Sequence, residues 1–155
     1  MWLDEHLRHS HGYGVHSPFL YRIVREAMMP RRVVGCDRRL YEALVARGVG
    51  RRTAVRLQNL CNLEHLEAWS IDGATTAEQG LMIATRECSD ATLEQMHKAQ
   101  SHSGATLCIL HEGRNRAALE RCGRVVEQHS SMSAEAWAFT LLFCRKDLRK
   151  QHIII

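Results

Sequence analysis

Residues 81–111 read LMIATRECSDATLEQMHKAQSHSGATLCILH, and this stretch decides the fold class. Its ends, "LMIAT" and "ATLCILH", are compact apolar runs of strand length. Between them, Ser89 or Asp90 caps a predicted helix that extends to about His102. A strand, a helix and a second strand in this order form a βαβ unit, whose two strands lie parallel in one sheet. The stretch therefore predicts an α/β fold.

The segments that flank this unit continue the alternation of strands and helices. A helix is predicted from Asn115, and the chain closes with two strand-like segments, residues 137–148 and 151–155. Before the unit, "TAVRL" (residues 53–57) is predicted as a short strand, followed by a helix with Leu60, Leu63 and Leu66 on one face. "AWSI" (68–71) is predicted as a further brief strand. Together these elements predict a three-layer sandwich around a mainly parallel sheet.

The N-terminal part is predicted to be helical. Ser17 is a good N-cap, Pro18 suits the first helical position, and Pro30 ends the helix. A second helix is predicted from Asp37 to Gly48. With 155 residues the chain has the length of one domain. We therefore predict a single domain over residues 1–155, with an N-terminal extension at 1–36 and a sheet core at 37–155.

Composition narrows the classes of protein to consider. Hydrophobic residues make up 45% of the chain and charged residues 25%, as in ordinary globular proteins. No apolar run reaches the length of a membrane span, and the polar first residues contain no signal-peptide core. The six cysteines are spaced singly, which is typical of reduced thiols. The sequence predicts a cytoplasmic protein without a membrane partner.

The net charge of +4 is unevenly distributed. Residues 22–56 hold ten arginines against three carboxylates, those of Glu26, Asp37 and Glu42. A face of this kind is a candidate for binding nucleic acid or another anion, although the segment has no aromatic stacking stripe. A solvated basic face without a partner is the alternative. The candidate phosphate-binding residues are Arg31, Arg32, Arg38, Arg39, Arg51 and Arg52.

Both ends of the chain resemble one protein family. "HGYGVHSPFLYRIV" (11–24) resembles the N-terminal stretch of a group of bacterial class I S-adenosylmethionine-dependent methyltransferase-like proteins, in which a Gly-Val-His-Ser-Pro-Phe motif precedes a helix. "FTLLFCRKDLRKQHIII" (139–155) resembles the final strand and tail of that group. The resemblance implies a three-layer, Rossmann-like methyltransferase fold with a mainly parallel sheet, an antiparallel C-terminal strand and S-adenosylmethionine as cofactor.

This chain departs from the family pattern where the cofactor would bind. The family holds the cofactor against a glycine-rich turn after the first strand, but the turn predicted after "TAVRL" is "QNLCNLEHL", which has no glycine. Only about 23 residues (58–80) separate the predicted first and fourth strands, so the fold is shortened. The resemblance assigns cofactor contacts to Gln58 and Asn59 in the turn and to Asp72, which would replace the ribose-binding acid.

Three functions remain open at this point. The first is a methyltransferase-like protein with a degenerate cofactor site and weak or no activity, which would act as a binding module. The second is an active methyltransferase with an atypical cofactor pocket, for which His16, His111 and Glu112 are candidate acid–base groups. The third is nucleic-acid or anion binding by the arginine-rich face. An open edge left by the shortened sheet also favours a homodimer.

Histidines near the N-terminus are the one metal-like cluster in the sequence, at positions 6, 9, 11 and 16. Imidazole is a common ligand of zinc and nickel. However, His9 and His11 alternate rather than share a helical face, and no cysteine or carboxylate has ligand spacing with them. We therefore predict no metal site.

Overall fold

The computed structural model describes residues 17–75 and 78–155. The chain divides into two compact units. We call the described residues 17–67 with Ile154–Ile155 the N-terminal unit, and Ala68–Ile153 the sheet unit. The boundary predicted at residue 36 falls inside the first of these units.

The N-terminal unit is built from helices. Helix α1 spans Pro18–Ile23 and continues as a π-helical turn over Val24–Met28, α2 spans Arg39–Ala46, and α3 spans Arg51–Glu64. Ser17 caps α1, because its hydroxyl accepts a hydrogen bond from the Leu20 amide at 3.4 Å. The predicted cap, the proline in the first turn and the helix in segment 37–48 are confirmed.

The predicted strand at residues 53–57 is wrong, because the whole of "TAVRLQNLCNLE" belongs to α3. Ala54, Leu57 and Cys61 are buried and recur at intervals of three and four, which places them on one helical face. A short apolar run with β-branched residues does not distinguish a strand from a helix segment. The glycine-free turn predicted at "QNLCNLEHL" therefore does not exist as a turn after a strand.

The described residues from 68 onward form six strands and two helices, and Ile154, the last residue of the sixth strand, is counted with the N-terminal unit. In chain order they are β1 Trp69–Ile71, β2 Leu81–Ala84, α4 Asp90–Ser103, β3 Thr106–Leu110, α5 Arg116–Gln128, β4 Met132–Glu135, β5 Phe139–Leu142 and β6 Gln151–Ile154. The predicted brief strand at "AWSI" and the βαβ unit at 81–111 are confirmed. Strand β4 was not predicted, because the sequence "MSAE" has no alternating or continuous apolar pattern.

The strand order is β1-β2-β3-β5-β4-β6. Strands β1, β2 and β3 pair in parallel, and β5 runs antiparallel to both β3 and β4. Strand β4 therefore points the same way as β1, β2 and β3. The sheet is mainly parallel, as predicted, and β5 is inserted in the opposite direction.

Helices α4 and α5 pack on one face of the sheet. Side chains that alternate along β2, β3 and β5 form a single cluster with residues of the two helices. The register pairs Met82 with Leu107 and Ala84 with Ile109, so these side chains lie next to each other. The cluster members are Met82, Ala84, Cys88, Leu93, Met96, Ala105, Leu107, Ile109, Cys122 and Leu142. Burial of this apolar surface fixes where each strand ends relative to its neighbours.

Candidate functional site

The carboxyl ends of β1, β2, β3 and β4 meet at one edge of the sheet, because these strands point the same way. Ligands of open α/β sheets bind outside this edge. The first residues beyond these strands are Asp72, Thr85, His111 and Ala136. We call this edge the carboxyl edge, and it is the expected position of a ligand site.

Asp72 follows β1 and bonds to the residue that follows β2. Its Oδ1 accepts from the Thr85 amide and its Oδ2 accepts from the Thr85 hydroxyl, both at 2.7 Å. The Asp72 amide donates to the Ile83 carbonyl at 2.8 Å, with the backbone of Asp72 in the left-handed region at φ 56°. Asp72 is the predicted ribose ligand, and both of its carboxylate oxygens are already bonded within the protein.

Thr85 holds this connection in place from the β2 side. The residue is buried, and its hydroxyl also accepts from the Glu87 amide at 3.2 Å. A hydroxyl that donates to a carboxylate while it accepts from an amide has a fixed proton position, so the Asp72 carboxylate is held in one orientation. We call this pair the Asp72–Thr85 clasp.

Cys88 lies beyond the clasp and does not supply a nucleophile. Burial, and then the negative charge of Asp72, raise the pKa of its thiol. A thiol with a raised pKa stays protonated near neutral pH, and the thiolate is the nucleophilic form. Cys88 therefore acts as a small buried side chain in the cluster beneath α4.

A groove of about 250 Å³ between α4 and α5 lies near this cysteine. It is lined by Asp90, Leu93, Glu94, His97, Arg121, Arg124, Val125 and Gln128. Arg121 has two buried nitrogens, Nε and Nη2, that find no hydrogen-bond acceptor among the described residues, and its Nε lies 3.5 Å from Asp90 Oδ1. Two carboxylates, of Asp90 and Glu94, and two guanidinium groups, of Arg121 and Arg124, therefore line the same groove.

His97, which lines the groove and is half-buried, forms a pair with the buried His129. His129 Nε2 lies 2.7 Å from the Phe143 carbonyl, which can only accept, so Nε2 carries a proton. In the neutral ring Nδ1 then accepts from His97 Nε2 at 3.3 Å. Burial lowers the pKa of both imidazoles. The pair is therefore held in its neutral form.

His111, a candidate acid–base group, follows β3 and is buried, with 2% of its surface exposed. Its Nε2 lies 2.9 Å from the Thr140 hydroxyl on β5. A general base must come within hydrogen-bond reach of the proton that it removes. The burial of His111 keeps its ring away from a substrate at the edge, and Glu112 beside it is half-buried.

The structure brings together a serine, a histidine and a glutamate that the sequence did not associate. Ser133 Oγ lies 2.8 Å from His152 Nδ1, and His152 Nε2 lies 3.0 Å from Glu135 Oε2. These are the residue types of a hydrolytic triad. However, Ser133 on β4 exposes only 2% of its surface, so a substrate carbonyl cannot reach its hydroxyl. The three residues link β4 to β6 and do not form an active site.

Arg114 extends this chain of polar contacts. Its Nη2 lies 3.3 Å from Glu135 Oε1, and its guanidinium lies 5.2 Å from the centre of the Trp137 ring. The hydrogen bond from His152, together with the guanidinium group of Arg114, lowers the pKa of Glu135 to about 2. Glu135 therefore stays ionised between two cationic or hydrogen-bonding partners.

Gln58 and Asn59, the predicted cofactor contacts in a turn, lie inside helix α3 and are buried. Asn59 accepts from the Val34 amide at 2.7 Å and donates to the Arg32 carbonyl at 3.0 Å. Gln58 accepts from the Tyr41 amide at 3.0 Å and donates to Asn62 at 2.9 Å. Both amides hold neighbouring backbone in place, so their geometry gives a structural role.

The six candidate phosphate-binding arginines all lie in the N-terminal unit and are exposed. Arg39 is paired with Asp37 at 2.8 Å, and Arg38 lies 5.0 Å from the centre of the Tyr41 ring. Arg31, Arg32, Arg51 and Arg52 make no side-chain hydrogen bond or ion pair with any residue that the structure describes. The sequence therefore identified an exposed basic region, and the structure separates its paired from its unpaired members.

The chain was compared with protein-family models, curated proteins and solved structures. None of these matches it. The functional assignment therefore depends on the chain's own geometry and on the resemblance at its two ends.

Two further predictions concern metals and membranes. The N-terminal histidines at 6, 9, 11 and 16 lie outside the described residues. Within 17–75 and 78–155, no group of three or more histidine, cysteine, aspartate or glutamate side chains is arranged to hold a metal ion. No described helix is long and apolar enough to cross a bilayer.

Proposed function

We propose that this protein is a methyltransferase-like α/β protein whose carboxyl edge is closed by its own side chains, and that it works as a binding module without methyl transfer. The Asp72–Thr85 clasp is the observation that carries the proposal. An acid at this edge is the group that a class I methyltransferase needs for the cofactor ribose. Here both of its oxygens are bonded to Thr85.

The arrangement of strands supports the methyltransferase-like origin. A βαβ unit is followed by an antiparallel strand, β5, between β3 and β4. The resemblance implies a mainly parallel sheet with one antiparallel strand near the C-terminus, and the observed directions agree with it. Only nine residues, 72–80, connect the parallel strands β1 and β2, where a crossover normally needs about a dozen or more. The short connection supports a shortened member of the family.

The residues beyond β1 do not fit S-adenosylmethionine as that family holds it. The first strand is followed by Asp72 and Gly73, so the chain does have a glycine at this turn. A Cβ added to Gly73 would meet nothing within 4 Å, so packing within the described protein does not require a glycine at this position. Because both oxygens of the Asp72 carboxylate are bonded to Thr85, the edge lacks the free acid that the family uses for the cofactor ribose.

We place this function in the cytoplasm. All six cysteines are free thiols, and four of them, Cys61, Cys88, Cys108 and Cys122, are buried. Buried reduced cysteines that act as small hydrophobic side chains are typical of proteins in a reducing compartment.

Calorimetric titration with S-adenosylhomocysteine tests the proposal, with the Asp72→Asn variant as a matched comparison. We expect no heat of binding from the wild type up to millimolar ligand. We also expect the variant to be less stable than the wild type, because the amide group lacks the charge that strengthens both bonds from Thr85. Micromolar binding that the substitution abolishes, with stability unchanged, would overturn the proposal and favour an active methyltransferase with an atypical pocket.

A further inference from the structure

The positive charge of the described chain is concentrated in one unit. The described residues 17–67 contain ten arginines and five carboxylates, whereas residues 68–153 contain ten basic and ten acidic side chains. The sheet unit is therefore electrically balanced, and the N-terminal unit carries a net charge of +5. All ten of the N-terminal unit's basic residues are arginines, with no lysine among them.

The arginines of this unit fall into two groups. Several are engaged by the fold: Arg22 pairs with Glu64, Arg39 pairs with Asp37, and Arg56 donates to the Met28 carbonyl. Another group has no side-chain hydrogen bond or ion pair with any residue in the described ranges, and all of its members are exposed. We call this group the unpaired arginines: Arg31, Arg32, Arg47, Arg51 and Arg52.

Helix α3 brings the loop arginines close to the helix arginines. Arg56 on α3 bonds to the Met28 carbonyl at 3.0 Å, and Asn59, one turn later, bonds to the Arg32 carbonyl at 3.0 Å. The segment from Met28 to Arg32 therefore runs beside this part of the helix. Burial, and then the charge of Arg52 one turn earlier, lower the pKa of Arg56.

The position of two unpaired arginines is unfavourable for the isolated protein. Arg51 and Arg52 occupy the first turn of α3, which contains no acidic residue, and Gly50 provides no side-chain cap. The N-terminal end of a helix carries partial positive charge, so cations destabilise it. The two arginines also repel each other, because neither has an ion-pair partner among the described residues. A bound polyanion would remove this repulsion.

We infer that the unpaired arginines bind the phosphate backbone of nucleic acid. Guanidinium groups form two parallel hydrogen bonds to a phosphate, which a lysine ammonium cannot do. A membrane surface is a poorer fit, because a helix that inserts at a bilayer needs a row of exposed apolar residues. Among the described residues of this unit, Tyr21 and Val34 are the large exposed hydrophobic side chains. Binding therefore uses the backbone and does not distinguish base sequences.

Fluorescence anisotropy with a short labelled oligouridine at several salt concentrations tests this inference. With five arginines on phosphates, we expect the logarithm of the affinity to fall with the logarithm of salt with a slope of about −3.5. Between about 50 and about 200 mM salt the affinity then falls roughly a hundredfold. No binding at the lowest salt concentration would overturn the inference.

Two variants with equal loss of charge locate the surface. Arg51→Gln/Arg52→Gln removes two unpaired arginines, and we expect the slope to become shallower by about 1.4. Lys98→Gln/Arg116→Gln removes two exposed cations of the sheet unit, each already paired with a glutamate four residues away, and we expect the slope of the wild type. If both variants reduced the slope by the same amount, the result would contradict the assignment of binding to this surface.

A second binding experiment, with anionic lipid vesicles, distinguishes nucleic acid from a membrane surface as the partner. Phosphatidylserine vesicles are incubated with the wild type under the same low-salt conditions and sedimented. We expect the protein to stay in the supernatant and the oligouridine to bind. Vesicle binding without oligouridine binding would contradict the inference. Circular dichroism of the Arg51→Gln/Arg52→Gln variant should show the helical content of the wild type, because neither side chain bonds to the fold.

Discussion

The two units of this molecule use their polar side chains in opposite ways. In the sheet unit, polar groups on the strands and just beyond them bond to each other, as in the Asp72–Thr85 clasp and in the chain that joins Ser133, His152 and Glu135. In the N-terminal unit, buried amides on α3 hold the backbone, and the unpaired arginines have no bond to the rest of the described protein.

This difference separates polar groups that are already bonded within the fold from polar groups that are open to a partner. A carboxylate or histidine that is bonded on both sides is held in place and has less capacity for a ligand. An exposed guanidinium without a partner keeps all of its donors. The unpaired arginines lie in the N-terminal unit, in the loops before and after α2 and at the start of α3.

Asn59→Ala should have the largest effect on stability. The substitution leaves the Val34 amide and the Arg32 carbonyl without their partners, and we expect a loss of about 3 kcal/mol in the free energy of unfolding. Urea denaturation measures it. Gln95→Ala, at an exposed position of α4, is the control and should change the free energy by less than about 0.5 kcal/mol. Equal effects would mean that the Asn59 amide does not hold the loop.

Glu135→Gln should have the next largest effect. The substitution keeps the shape of the side chain but removes the charge between Arg114 and His152, and we expect a loss of about 2 kcal/mol. Glu94→Gln makes the same change in an exposed ion pair with Lys98 and should cost less than about 0.5 kcal/mol. If the two variants are equally stable, Glu135 is not part of a connected polar chain.

Stability should fall when the pH is lowered from 7 towards 5, because of His97 and His129. The pKa of each imidazole is lower in the folded protein than in the unfolded chain, so the unfolded chain binds more protons as the pH falls. Acid therefore stabilises the unfolded chain relative to the folded protein. Glu135 does not cause this change between pH 7 and 5. Its pKa is lowered from an ordinary value of 4.5 to about 2 in the folded protein, so its contribution to stability is lost only below pH 4.5. Urea midpoints at both pH values measure the change, and His97→Gln/His129→Gln should make it smaller. An unchanged pH dependence in that variant would show that other groups cause it.

The smallest predicted effect is a gain. Arg51→Gln/Arg52→Gln removes two cations from the first turn of α3, and we expect the free energy of unfolding to rise by about 0.5 kcal/mol at low salt. Thermal unfolding at low and high salt measures it, and salt should reduce the gain. A clear loss of stability would show that these arginines have structural partners.

Local signals in the sequence predicted much of the fold. The sequence predicts helix starts at Ser17, at Ser89 or Asp90, and at Asn115, and Ser17, Ser89 and Asn115 each accept a hydrogen bond from the first turn of their helix. Capping depends on residues that are close in sequence, so the sequence alone is sufficient. The apolar runs of β2 and β3 were correct for the same reason, because a buried strand is apolar throughout.

The errors come from features that depend on distant residues. Helix α3 buries Gln58 and Asn59 against backbone from another part of the chain, and these polar residues hide its apolar face in the sequence. Strand β4 has little apolar character and takes its place in the sheet through pairing with β5. Thr85 and Asp72 are 13 positions apart, and only the pairing of β1 with β2 brings them together. No local pattern predicts such a contact.

The closed carboxyl edge is the central claim, and a double-mutant cycle between Asp72→Asn and Thr85→Val tests it most directly. The free energies of unfolding of the wild type, the two single variants and the double variant give the coupling between the two side chains. We predict a coupling of about 1.5 kcal/mol, because Asp72→Asn removes the charge and Thr85→Val removes the hydroxyl donor of the same charge-assisted hydrogen bond. A coupling near zero would show that Asp72 does not depend on Thr85 and that its carboxylate is available to a ligand, which contradicts the account.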